Sequence, residues 1–233
     1  MKRTLFFLVF FSIASLGYAE PLKLPFQKGE TIQYKIKQLA ATAGHATLTF
    51  EGLAKLADGR EALLIIFKAT ALNFLDEEKI YVDPTTFLPV VVERDLNIFG
   101  KKEKIAETYL PQEKKIKITK TAGGKTTEQM IEKEGAVANI YGFIYRYRAQ
   151  GTFQKGEKLN LNLPTQNVAI NLLDDKKVKA AGRVFETSFM KSADGKYQIW
   201  FDKSAQRIPL RISGAVGLAN TMMVMTEYTP GKE

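Results

Sequence analysis

The sequence predicts an α+β protein that is mainly β: a curved antiparallel sheet or half-barrel, made of two related halves with one central helix. Three observations predict it. Most of the chain alternates apolar and polar residues as strands do, one segment carries the period of a helix, and two short signatures recur in the same order.

The alternation is clear from the start. Ile32, Tyr34 and Ile36 are spaced to face one way, with Thr31, Gln33 and Lys35 facing the other; Ala46, Leu48 and Phe50 repeat the pattern. Residues 63–67 are continuously apolar, which predicts a short strand covered on both faces. Ile116 and Ile118 alternate with lysines, and Gly123-Gly124 turns the chain back through 126–131 as a hairpin. Asp58-Gly59, Gly100-Lys101 and Asp194-Gly195 supply further turns, so the strands form an antiparallel meander.

One stretch, 136–149, breaks this period. Val137, Ile140, Tyr141, Ile144 and Tyr145 fall on one helical stripe, and Arg146 and Arg148 stand near the end, where cations suit the helix dipole.

The signatures come next. Phe-Gln-Lys-Gly-Glu stands at 26–30 and again at 153–157. Later in each half, Ile80-Tyr81-Val82-Asp83 leads through a polar turn to Leu88-Pro89-Val90, and Ile199-Trp200-Phe201-Asp202 leads to Ile208-Pro209-Leu210. An aspartate side chain accepts hydrogen bonds from backbone just ahead and opens a turn. A proline has no N–H and belongs at the start or edge of the returning strand. Asp83, Pro89, Trp200, Asp202 and Pro209 are therefore expected to build two equivalent hairpins, with Tyr81 and Trp200 on the same side of the sheet. The halves are placed at about 26–120 and 153–228 of a single domain, 20–233. Convergent turn chemistry is the alternative source of the second signature.

The first 19 residues read as a signal peptide. Lys2 and Arg3 precede a largely apolar run, and Gly17-Tyr18-Ala19 offers small residues at the cut, so cleavage after Ala19 is expected. The alternative, a retained anchor, needs a longer apolar run of ~20 residues. No cysteine lies near the cut to be acylated. The expected location is the periplasm, soluble or peripheral at the envelope. Of 233 residues, 214 then remain, enough for one core without disulfides, and the chain has no cysteine. The formal charge is +9, or +7 without Lys2 and Arg3. Its lysines are scattered, which fits solubility and protected sheet edges; attraction to anionic surfaces is the alternative.

Several of these motifs together resemble the exported bacterial family called domain of unknown function 3108. They are Phe-Gln-Lys-Gly-Glu with Tyr34, the strand at 44–50, the hairpins at 83–89 and 200–209, the helix at 141–148 and Lys155-Gly156-Glu157. The resemblance spans nearly the whole chain after residue 19. The hairpins are also similar, more distantly, to those of periplasmic lipoprotein carriers, which fold as a curved half-barrel around helices. The first family implies a location and a fold, and no catalytic residues.

Residues for chemistry are scarce. His45 is the only histidine, so neither a Cys/His metal site nor a histidine-based triad can be assembled, and the four serines after residue 19 lack a nucleophile-elbow setting. His45 is expected at a surface or edge. Asp76-Glu77-Glu78 and Asp174-Asp175 read as solvated loop ends. No cofactor, no metal and no nucleic acid is expected, and no enzymatic activity.

Aromatic and methionine residues point to an apolar ligand. Tyr141, Phe143, Tyr145 and Tyr147 crowd one short helix, more than a single stripe can bury, and Met222, Met223 and Met225 are adaptable. Tyr141, Phe143, Ile144, Tyr145, Tyr147, Met223 and Met225 are the candidate ligand-binding residues; ordinary core packing is the alternative. Two functions remain open: a non-catalytic carrier or sensor for a lipid or lipoprotein acyl chain, and a binding or scaffold module for an envelope polymer or protein.

Overall fold

A computed structural model describes residues 24–38, 41–215 and 221–232. The expected signal peptide lies outside the described residues. Eight strands run up and down in succession: β1 (Glu30–Gln38), β2 (Ala41–Lys55), β3 (Glu61–Ala71), β4 (Phe74–Val82), β5 (Pro89–Ile98), β6 (Lys101–Leu110), β7 (Lys115–Ala122) and β8 (Lys125–Glu132). Helix α1 (Ile140–Gln150) follows. Then come β9 (Lys158–Leu163), β10 (Gln166–Leu172), β11 (Lys176–Ala180), β12 (Arg183–Ser192), β13 (Gln198–Asp202), β14 (Pro209–Ser213) and β15 (Thr221–Thr229).

All of them join one antiparallel sheet, ordered β8-β7-β6-β5-β4-β3-β2-β1-β15-β14-β13-β12-β10-β9, with β11 beside β12. The two runs of strands meet where β1 pairs with β15. β8 and β9 end the order without pairing, so the sheet is not a closed barrel. Register shifts interrupt the β1–β2, β2–β3, β4–β5, β13–β14 and β1–β15 ladders. Such bulges bend strands and increase their twist, and the curved sheet encloses α1.

The helix begins later than the 136–149 expected from apolar spacing. Asn139 is extended, and its side-chain oxygen accepts the N–H of Tyr141 at 2.8 Å and of Gly142 at 3.3 Å. Asparagine is a strong N-cap for this reason. Upstream, Ala138 N–H is spent on Asn162 O of β9 at 2.7 Å, which keeps 136–138 extended. Gly142 permits the helix to lie close to the β4–β5 turn. A Cβ there would stand 3.3 Å from Val82 Cγ1 and 3.4 Å from the Phe87 carbonyl.

The β4–β5 and β13–β14 hairpins close in similar ways, the second with a turn one residue longer. Asp83 Oδ1 accepts the N–H of Thr85 and Thr86, at 3.1 and 2.8 Å; Asp202 Oδ1 accepts the N–H of Ile208 at 2.7 Å and the Ser204 hydroxyl at 2.9 Å. Asp83 N–H donates to Leu88 O and Asp202 N–H to Ile208 O, both at 2.9 Å. Phe87 and Arg207, just before these acceptors, have φ of 55° and 50°. Val82 pairs with Pro89 and Phe201 with Pro209, each beside a register shift. Tyr81 and Trp200 consequently occupy matching positions on the outer side of the sheet.

That outer side is bare over Tyr81 and covered over Trp200. The β11–β12 hairpin crosses it, with Arg211 Nη2 donating to Lys179 O at 2.9 Å and Ala181 N–H to Met225 O at 3.0 Å. Trp200 stacks on Phe189 at 4.7 Å beneath this cover, with Lys176 Nζ 4.1 Å from the Phe189 ring centre. Residues 63–67, expected to be covered on both faces, bury Leu63, Ile65 and Phe67 and leave Leu64 and Ile66 partly exposed.

Candidate functional site

Both Phe-Gln-Lys-Gly-Glu segments fold as the same turn. Glu30 N–H donates to Gln27 O at 3.0 Å and Glu157 N–H to Gln154 O at 3.1 Å. Gly29 and Gly156, with φ of 81° and 87°, donate to Phe50 O and Leu172 O at 2.7 and 2.9 Å. A residue with a side chain is strained at such φ, so glycine is required in both copies. Each phenylalanine then packs on a tyrosine of α1 and carries an arginine. Phe26 meets Tyr145 at 4.8 Å under Arg148, and Phe153 meets Tyr147 at 4.5 Å under Arg207.

The glutamates finish the motif by reaching the helix. Glu157 Oε2 accepts the Tyr147 and Thr152 hydroxyls, at 2.5 and 2.7 Å. Glu30 takes Arg148 as a two-pronged ion pair, 2.7 Å on each prong, with both side chains fully buried. Arg148 Nε donates to Gln206 O at 3.1 Å, and the Tyr228 hydroxyl donates to Glu30 Oε2, also at 3.1 Å. Reaching from the start of the central strand β1 to the helix, this pair fixes the C-terminal end of α1 in the core.

A second polar cluster lies at the other end of α1. Asp76 and Glu78, expected in a solvated loop, are buried on the inner face of β4, while Glu77 points out and pairs with Lys68 at 2.8 Å. The strand continues through the acidic run because its alternate positions find partners inside. Arg94 clasps Asp76 at 2.7 and 2.6 Å and approaches Glu78 at 3.4 Å. Asn139 Nδ2 donates to Glu78 Oε2 at 3.4 Å, and Tyr109 donates to Glu107 at 2.5 Å. Asp174 and Asp175 are exposed as expected, paired with Lys155 and Lys203.

Burial pushes the Glu78 carboxyl up to about 7, with Asp76 and Glu107 adding to the rise and Arg94 opposing it. Between its ordinary value near 4.5 and about 7, the folded chain holds a proton that the unfolded chain has released. Stability therefore falls as pH rises through that window, by on the order of 3 kcal/mol. Glu78→Gln is expected to flatten the decline and to be more stable than the parent at pH 8, read by urea unfolding at pH 5 and 8. Equal declines in both proteins would contradict this assignment.

The candidate ligand-binding residues are brought together, and they are tightly packed. Tyr141, Phe143, Ile144, Tyr145, Tyr147, Met223 and Met225 are all at most 4% exposed. Tyr141 stacks on Phe67 at 4.1 Å; Phe50 lies 5.6 Å from Tyr145; Phe201 lies 5.8 Å from Tyr147. The curved sheet reaches the helix from several sides, so the aromatics left over from one stripe meet other strands. None of the seven lines the apolar cleft at the β4–β5 turn.

An apolar cleft opens elsewhere, at the end of the sheet beside the β4–β5 turn. Its cavity volume is about 370 Å³. Leu88, Pro89, Val90, Tyr109, Ile116 and Val137 give it an apolar wall, and Arg60, Lys114, Lys115 and Lys133 stand around it. Asp83 is the one carboxylate in the lining, and its Oδ1 is committed to the turn. The size and lining fit a small-molecule site. The turn aspartate and the proline were legible as structure; that they wall a cleft with residues 114–116 and 133–137 depends on strand order, which no local signal carries. His45 is exposed on β2, opposite Lys35. Among the described residues no group of three or more His, Asp or Glu is placed to hold a metal ion, and no helix is long and apolar enough to cross a membrane.

No family model and no curated protein matches the chain. The resemblance to the domain of unknown function 3108 family thus rests on its motifs. Two solved structures are similar in outline. One is a candidate exported protein with a YmcC-like fold from Bacteroides fragilis NCTC 9343, at 6% identity and a TM-score of 0.33, covering 88% of this chain and 98% of that one. The other is a candidate lipoprotein from Parabacteroides distasonis ATCC 8503, at 9% identity and a TM-score of 0.28, with the same coverage. Likeness at this level carries no functional argument.

Proposed function

We propose that this is an exported, non-catalytic envelope protein that holds an apolar ligand, an acyl chain ending in an anionic group, as a carrier or sensor. The observation that carries the reading is the apolar cleft of about 370 Å³ with Arg60, Lys114, Lys115 and Lys133 around it. Chain and head are matched separately: apolar walls for methylenes and Lys115 for the charge, with Arg60 paired to Asp58, Lys114 to Glu134 and Lys133 donating to Asn162 Oδ1. About six buried methylenes contribute ~5 kcal/mol, enough for measurable binding. Export is supported by the Lys2-Arg3 start, apolar run and small residues before position 20. The binding place differs from the helix aromatics, whose rings fill the space between helix and sheet.

Fluorescence of cis-parinaric acid tests the reading. Wild-type protein is expected to bind it saturably, and Val137→Glu or Lys115→Glu to weaken binding about tenfold, while Leu72→Glu, at a residue 86% exposed, leaves it unchanged. Absence of saturable binding, or equal binding by all variants, would sink the proposal. Native mass spectrometry of protein purified from its own envelope then gives the ligand's mass.

The second reading, a scaffold module, is favoured by β8. This strand ends the sheet, has a free edge, and is exposed at every residue but Ile131, a geometry that accepts a partner strand. Partner capture that persists when the cleft is filled would favour it.

A further inference from the structure

The outer face of the second half holds a different cleft, independent of the proposal above. It lies between the β11–β12 hairpin and strands β1, β14 and β15, with a cavity volume of about 480 Å³. Four cations border it, Lys35, Lys37, Lys179 and Arg211, and no carboxylate does.

Strand register accounts for the convergence. Lys35 and Lys37 are two apart on β1 and share its outer face. Lys35 lies opposite Val224, and Val224 opposite Arg211, so these two cations flank one valine roughly 10 Å apart. The hairpin delivers Lys179 from above. It is pinned by Arg211 Nη2 on Lys179 O and by Ala181 N–H on Met225 O, at 2.9 and 3.0 Å. Its two-residue tip holds Ala181 at φ 45°, a conformation that alanine rarely adopts.

Two further features bear on this cleft. Among the other sheet lysines, Lys68, Lys117, Lys120 and Lys177 are each paired with a glutamate, while Lys79, Lys125 and Lys158 form no ion pair with the described residues. Lys35, Lys37 and Lys179 form no ion pair with the described residues. In addition, Arg211 Nε is buried and has no acceptor among the described residues. A buried charged donor without an acceptor is costly, and a nearby anion would offset part of that cost by charge.

We infer that this cleft binds a phosphate group. A phosphate carries about two charges and three strong acceptor oxygens, which suits several converging cations better than a singly charged carboxylate. Arg211 supplies directed N–H donors from a fixed position, and the three lysines supply mobile charge around it.

Calorimetric titration with inorganic pyrophosphate tests the site. The full protein is expected to bind it saturably. Lys35→Glu with Lys37→Glu should weaken binding at least about tenfold, whereas Lys125→Glu with Lys158→Glu, the same charge change at exposed positions of the two end strands, should alter it less than about twofold. Arg211→Lys keeps the charge and loses Nε, and intermediate weakening is expected. Co-sedimentation with phosphatidylcholine vesicles, with and without phosphatidic acid, identifies the source of the phosphate. Dependence of vesicle binding on Lys35 and Lys37 assigns a lipid headgroup; pyrophosphate binding without vesicle binding assigns a soluble phosphorylated compound. No saturable binding, or equal weakening in both double variants, overturns the inference.

Discussion

Replacing Arg148 with alanine is expected to lower folding stability by about 3–5 kcal/mol, the usual cost of breaking a buried ion pair from one side. The loss comes less from the attraction removed than from Glu30, left charged in the core beside the rings of Phe26 and Tyr145. Both partners are wholly buried, and the pair makes two bonds of 2.7 Å. Guanidinium packing adds to the cost, since the group lies 4.8 Å from the centre of Phe26 and 5.0 Å from that of Tyr145. Glu30→Ala strands Arg148 in the same way. Glu30→Leu with Arg148→Met removes both charges and should lose less than either single alanine variant. Urea unfolding with a constant m-value measures all three; a loss below ~1 kcal/mol for Arg148→Ala would show that water reaches the pair.

Trp200→Ala should cost about 3–5 kcal/mol, and Tyr81→Ala clearly less. The two residues hold matching places in matching hairpins, so the difference isolates what lies above them. Trp200 is 6% exposed because the β11–β12 hairpin covers it and Phe189 stacks on it. Tyr81 has no such cover and is only partly buried. Losing the indole should also loosen the hairpin, seen as faster amide exchange in β11 than in β4. Equal costs at the two positions would mean that the outer layer contributes nothing to stability.

Much of this fold is legible in the sequence where local chemistry decides the outcome. The Gly123-Gly124, Asp58-Gly59 and Asp194-Gly195 turns, the alternation of β1 and the aspartate–proline hairpins all follow from rules spanning a few residues. Features set by distant chain are not legible in this way. Asp76 and Glu78 resemble a solvated acidic loop until Arg94, 18 and 16 residues later, is placed across from them. The helix aromatics look excessive because a one-stripe picture omits a sheet that curves around the helix. Asn139, three residues after the expected start, is an N-cap signal that apolar spacing alone does not include, and it marks where the helix begins. The apolar cleft draws its walls from four separated segments, so nothing short of strand order reveals it.

The most direct test of the proposed ligand site is a crystal structure of the protein soaked with a medium-chain fatty acid. The chain is expected against Pro89, Ile116 and Val137, its carboxylate at Lys115, and the packing of α1 unchanged. A chain lodged between α1 and the sheet, parting Tyr141 from Phe67, would contradict it.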